Sequence, residues 1–215
     1  MMKPQEMGHI AVAVIVLALV TGLQFIIENQ FDLLIQAFIF SAVVIFAAVF
    51  SKKLTAYLLD ANVEHEIWQM STYGFKKSNR FNKPLPAGLI FPILASIITL
   101  GQVKFASLLT YEARALKYRA SKRFGFYSFK EVTDWHHAII GAASTISLLI
   151  IAAISYFSPT ASLEYLSKIS IYYAFWNLFP ISKLDGAQIF FGSRILWAIL
   201  ATITVIILIM TIVVV

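Results

Sequence analysis

The chain has 215 residues, 60% hydrophobic and only 13% charged, with a formal net charge of +6 and no cysteine. A soluble domain averages roughly 45–50% apolar and about 25% charged residues, so this composition excludes a soluble globular enzyme and indicates an integral membrane protein. Disulfide frameworks and thiolate metal sites are excluded, and no basic segment is long enough to form a nucleic-acid-binding face.

A helix that crosses a bilayer needs about 20 mostly apolar residues. Residues 9–27 and 33–50 meet that requirement, and the five-residue link "ENQFD" makes them a helical hairpin. Only Lys3 precedes the first span and no small-residue cleavage site follows it, so it reads as a retained anchor. Beyond Lys52 and Lys53, apolar residues at Leu54, Tyr57, Leu58, Ala61 and Trp68 have helical spacing. They predict a helix lying on the cytoplasmic interface, with His65 on its stripe, Glu64 and Glu66 in water and Trp68 at headgroup depth. The hydrophobic stretch 88–106 is interrupted by Pro92, Gly101 and Lys104.

Charge decides the expected course of that stretch. The flanking segments 51–87 and 107–134 are both basic, carrying Lys52, Lys53, Lys76, Lys77, Arg80 and Lys83 in one, and Arg114, Lys117, Arg119, Lys122, Arg123 and Lys130 in the other. Both lie in the cytoplasm if 88–106 enters the membrane and returns, as the positive-inside rule prefers. Lys3, Lys183 and Arg194 then join them, and Lys168 is left outside. Three further spans follow at 137–157, 169–181 and 194–215, the middle one short and containing Asn177 and Pro180. The expectation is a single all-α polytopic membrane domain over 1–215, with about five transmembrane helices and one re-entrant or interfacial segment. It would sit in the cell membrane of a prokaryote with its N-terminus and basic loops cytoplasmic.

Two places attract metal chemistry. His65-Glu66 opens the helical zinc motif H-E-x-x-H, but Gln69 stands where the second histidine belongs. Zinc hydrolysis needs two imidazoles one turn apart, a third ligand and an adjacent glutamate as base, which makes His65 a candidate ligand and Glu66 a candidate base. "EVTDWHHA" (131–138) offers His136 beside Asp134, either as part of a carboxylate–imidazole metal site with Asp185 or as an interfacial belt with Trp135.

The stretch "YYAFWNLFPISKLDGAQIFFGSR" (172–194) is more specific. Asn177, Pro180, Leu184, Asp185 and Gly186 resemble the N-x-x-P-x-x-x-L-D-G signature of the site-2 protease family of intramembrane zinc metalloproteases. The resemblance implies that Asp185 occupies the position of the third zinc ligand, and that Asn177, Pro180, Asp185 and Gly186 border a substrate or partner groove. It covers roughly residues 33–194 in order of elements. "GAASTISLLIIAA" (141–153) matches the family's G-P-x-x-N-like helix loosely, with Ser144 and Ser147 at the proline and asparagine positions. Aligned by membrane depth, the family's two zinc histidines fall on Ala48 and Lys52, and its catalytic glutamate on Val49. The other alignment places the motif on His65–Gln69, outside the bilayer.

The resemblance therefore implies a site-2-protease-like core without zinc or another cofactor. Its expected role is non-catalytic, the binding of a membrane-embedded segment or membrane-protein partner. Two alternatives stand beside it. One is an active intramembrane metalloprotease whose zinc is held by a displaced set drawn from His65, Glu66, His136 and Asp185. The other is a small transport component in which Asp185 and Lys183 line a polar path.

Overall fold

The computed structural model describes residues 3–72, 80–116, 132–158 and 160–213. Pro4 opens the first helix, where its missing N–H is no loss, and α1 runs Pro4–Ile27. Asn29, in the left-handed region at φ 59°, turns the chain into α2, Phe31–Leu58. Small and branched residues recur along one face of α2 at Ala37, Ser41, Val44, Ile45 and Ala48. Val44, Ile45 and Ala48 pack on the stripe Ile10, Ala13, Val14 and Leu17 of α1, and Ser41 and Ala37 meet Thr21 and Gly22. At about 1.5 Å per residue, α2 is roughly 42 Å long, more than the ~30 Å hydrocarbon layer. Its last two turns, which carry Ser51, Lys52 and Lys53, extend beyond the expected span 33–50.

The predicted interfacial helix over 54–68 is not formed. Asp60 takes a left-handed φ of 56° and ends the helix, and the next seven residues form strand β1, Ala61–Ile67. The pattern is period two. Ala61, Val63 and His65 are buried while Asn62 and Glu66 are exposed, and that alternation fits a half-buried strand. Trp68 is buried at 3% exposure against Ala87 and Leu184, not placed at a headgroup surface.

Three more strands follow: β2 (Met70–Thr72), β3 (Arg80–Leu85) and β4 (Leu109–Ala115). β1 pairs antiparallel with β4, with His65 opposite Tyr111, and β2 pairs with β3. The helical membrane architecture thus carries two small sheets that an all-α reading does not include. Parts of the expected cytoplasmic segments 51–87 and 107–134 are these strands. Lys76, Lys77, Lys117, Arg119, Lys122, Arg123, Lys130 and Glu131 lie outside the described residues.

Between the sheets, helix α3 spans Ala87–Ile98, too short to cross a bilayer, and Pro92 lies inside it. Leu100 and Gly101 adopt positive φ, and the chain returns to β4. Both ends of this excursion meet: Gly88 N–H donates to the Trp68 carbonyl and Trp68 N–H donates to the Leu108 carbonyl, each at 2.9 Å. A Cβ on Gly88 would strike the Leu108 carbonyl oxygen, so only glycine allows the two limbs to close. Segment 88–106 therefore leaves and rejoins the same end of the bundle.

The remaining helices are α4 (Asp134–Tyr156), α5 (Ala161–Asn177), α6 (Asp185–Gly192) and α7 (Arg194–Val213). Among the described residues four helices, α1, α2, α4 and α7, are long and apolar enough to span a membrane. The expected short span 169–181 is the latter half of α5, which begins eight residues earlier and stops before Pro180. Small residues of α4, among them Gly141, Ala142 and Ser144, let α2 and α6 approach it closely.

Candidate functional site: a buried lysine–aspartate pair

The loop between α5 and α6 contains Pro180 and Ser182, the latter at φ 55°, and Asp185 is the first residue of α6. Gly186 follows because α6 starts against the backbone of Leu178 and Phe179. A Cβ there would collide with the Leu178 carbonyl. The Asp-Gly pair therefore delivers a carboxylate into the interior at a point where no larger residue fits.

That carboxylate meets α2. Lys52 Nζ lies 2.6 Å from Asp185 Oδ2 and donates to Oδ1 at 2.8 Å, with the two side chains only 2% and 1% exposed. Ala48, Val49 and Lys52 are all buried on the same part of α2. Ser144 of α4 lies beside Asp185. Nearby, Ser147 donates to the Ser144 carbonyl at 2.8 Å and lies 3.2 Å from the Ser51 hydroxyl. The sheet closes the site from the other side. The Lys52 ammonium stands 4.9 Å from the Tyr111 ring centroid, a cation–π arrangement, and the Tyr111 hydroxyl donates to the His137 carbonyl at 2.6 Å. Burial, and then the charge of Asp185, push the Tyr111 hydroxyl well above the usual phenol range.

Asn177 ties this region to the return limb of the excursion. Its amide donates to the Tyr173 carbonyl at 2.8 Å and the Ala106 carbonyl at 3.3 Å, while Oδ1 is buried without a partner among the described residues. Pro180 is exposed at the turn. Thus Asn177, Asp185 and Gly186 surround one interior region, with Tyr173 close to both Asn177 and Asp185.

The zinc candidates are distributed differently. His65 faces inward from β1, and both its backbone N–H and its Nδ1 meet Glu6 Oε1, at 3.2 and 3.0 Å. Lys53 holds the same carboxylate at 2.7 Å and donates to the Val63 carbonyl at 3.3 Å. Glu6 and Lys53 therefore satisfy the outer edge of β1. Burial pushes the His65 imidazole down to about 4, against the opposing pull of Glu6. Glu66 is exposed. His136 lies in the first turn of α4, its backbone N–H 3.3 Å from the Thr133 hydroxyl that caps the helix. Among the described residues, no three His, Asp or Glu side chains converge in a group able to hold a metal. At Asp185 the neighbouring charged group is an ammonium, which repels a dication and occupies the carboxylate. The residues present do not fit zinc.

Beside Tyr111 a cavity of about 530 Å³ opens, lined by Glu112, Arg114, His137, Lys183 and Gln188. In the β1–β4 register the even-numbered residues of β4 bond to β1, so the backbone groups of Tyr111 and Ala113 point away from it. Gln188 Nε2 donates to the Tyr111 carbonyl at 3.0 Å, and Gln188 Oε1 lies 3.0 Å from His137 Nδ1. Lys183 bonds Glu112 at 3.0 Å and draws its carboxyl below the usual range.

Sequence reasoning missed Glu6 and Tyr111. An acid at the start of an apolar helix is the one signal that could have marked Glu6. Tyr111 is recognisable only once β4 is known. Compared with family models, curated proteins and solved structures, the chain matches none.

Proposed function

We propose that this chain is a non-catalytic membrane protein of the site-2-protease type, in which a lysine–aspartate pair stands where the family holds zinc. The same reading gives it about five spans, with α5 as the short one and 88–106 re-entrant from the cytoplasmic side. Its role is to bind an embedded segment or a membrane-protein partner in the cavity along the outward edge of β4, with Asn177 and Asp185 in the interior behind it. The observation that carries this reading is the 2.6 Å contact between Lys52 and Asp185. Lys52 occupies the position aligned with a zinc histidine, and Asp185 the position aligned with the third ligand.

The outward Ala113 backbone, which lines the cavity, supplies hydrogen-bonding groups for such a segment. The protease alternative lacks comparable support, because His65 is engaged by Glu6 and Glu66 is exposed. Metal analysis of the purified full chain tests the reading. Substoichiometric zinc, equal in wild type and Asp185→Ala, is expected. One zinc per chain that is lost in Asp185→Ala would sink it.

A further inference from the structure

A second polar site lies at the other end of the bundle. Gln24 is 18 residues beyond Glu6 on α1, roughly 27 Å along the helix. The turn of the 88–106 excursion packs there, with Gly101 against Gln24. Three residues further on, Lys104 places its ammonium 5.6 Å from the Tyr165 ring centroid on α5. Tyr165 is fixed in turn, since its hydroxyl donates to the Thr21 carbonyl at 2.9 Å and Phe25 packs edge-on against it at 5.3 Å. Lys168, one turn along α5, pairs with Glu164 at 2.8 Å.

One ammonium, that of Lys104, thus lies over the Tyr165 ring, and the nearby Lys168 has its own carboxylate in Glu164. Among the described residues no acid stands within ion-pair distance of the half-buried Lys104. A cation held at a membrane protein's surface under such conditions is normally matched by an anion. The adjoining surface is strongly apolar, with Ile97, Ile98 and Leu100 at 57%, 78% and 68% exposure. Such a surface suits acyl chains beside a charged headgroup.

We infer that Lys104, held over the Tyr165 ring, binds a phosphate group, and that this group belongs to an anionic phospholipid whose chains cover Ile97, Ile98 and Leu100. The site is independent of the Lys52–Asp185 pair. Binding is read by native mass spectrometry of the full chain released from mixed micelles of phosphatidylglycerol and phosphatidylcholine. Retained phosphatidylglycerol should exceed phosphatidylcholine, and Lys104→Gln should reduce it about fivefold, the order expected for one lysine at an anionic membrane surface. Lys83→Gln removes the same charge from exposed β3 and should leave retention unchanged.

A second readout uses the unaltered protein, in which Lys104 should be acetylated more slowly in phosphatidylglycerol nanodiscs than in phosphatidylcholine nanodiscs. Equal losses in Lys104→Gln and Lys83→Gln, or equal acetylation in the two lipids, would overturn the site. Protection of Lys104 by inorganic phosphate to the same extent as by phosphatidylglycerol would overturn the lipid assignment in favour of a free ion.

Discussion

Removing either Lys52 or Asp185 leaves the other charge buried without a partner, which in protein interiors costs about 3–5 kcal/mol. Lys52→Met and Asp185→Leu should each show that loss in reversible unfolding in mixed detergent, while the double variant recovers most of it. Strictly additive losses would mean the two groups do not form a coupled pair. His65 makes a separate prediction about acid. Its folded value is pushed down to about 4, whereas an unfolded histidine titrates near 6.5. Between those values the unfolded chain binds more protons, so stability falls as pH drops through about 6.5 to about 4, by about 3 kcal/mol in all. The same unfolding assay run across this window should show the slope, and His65→Gln should flatten it. Neither environment follows from nearby residues. The partner of His65 is 59 positions away on α1, and the pairing of Lys52 with Asp185 spans 133 positions. The resemblance, aligned by membrane depth, set Lys52 at a zinc-ligand position near Asp185, and the two side chains are in contact.

At the scale of elements, long apolar helices were readable and short mixed elements were not. Uninterrupted hydrophobic runs over α1, α2, α4 and α7 leave no alternative to helix, so their existence was plain and only their ends moved. The stretch 54–68 supports both readings, since Leu54, Tyr57, Leu58 and Ala61 fit a helical stripe while Ala61, Val63, His65 and Ile67 fit a strand. The left-handed turn at Asp60 and the distant partner β4 decide between them, and neither leaves a mark in the local pattern. Helix α2 supplies a constructive test of its own register. Ala48 and Lys52 are one turn apart on a buried face, so Ala48→His with Lys52→His should create a two-histidine half-site against Asp185. Zinc at about one per chain is expected by elemental analysis, and it should vanish when Asp185→Ala is added. A double variant that takes up no zinc would show that this face of α2 does not address Asp185.

At the scale of the molecule, the absence of cysteine from all 215 residues makes single-cysteine mapping direct. With the proposed orientation, Asn29→Cys and Ser158→Cys should react with an impermeant maleimide from outside intact cells. Glu112→Cys and Lys183→Cys should react only after permeabilisation. Labelling of Glu112→Cys and Ser158→Cys from the same side would contradict the arrangement of spans. The ion pair also has a bearing on biosynthesis. A nascent chain delivers α2 with its lysine long before residue 185 has been made, so the apolar hairpin must be accommodated while Lys52 has no acid to meet. Only arrival of α6 completes the neutralisation. Premature termination anywhere between α2 and α6 leaves Lys52 without the acid it pairs with in the folded chain. The last third of the chain is in this sense the licence for the first third to remain in the bilayer.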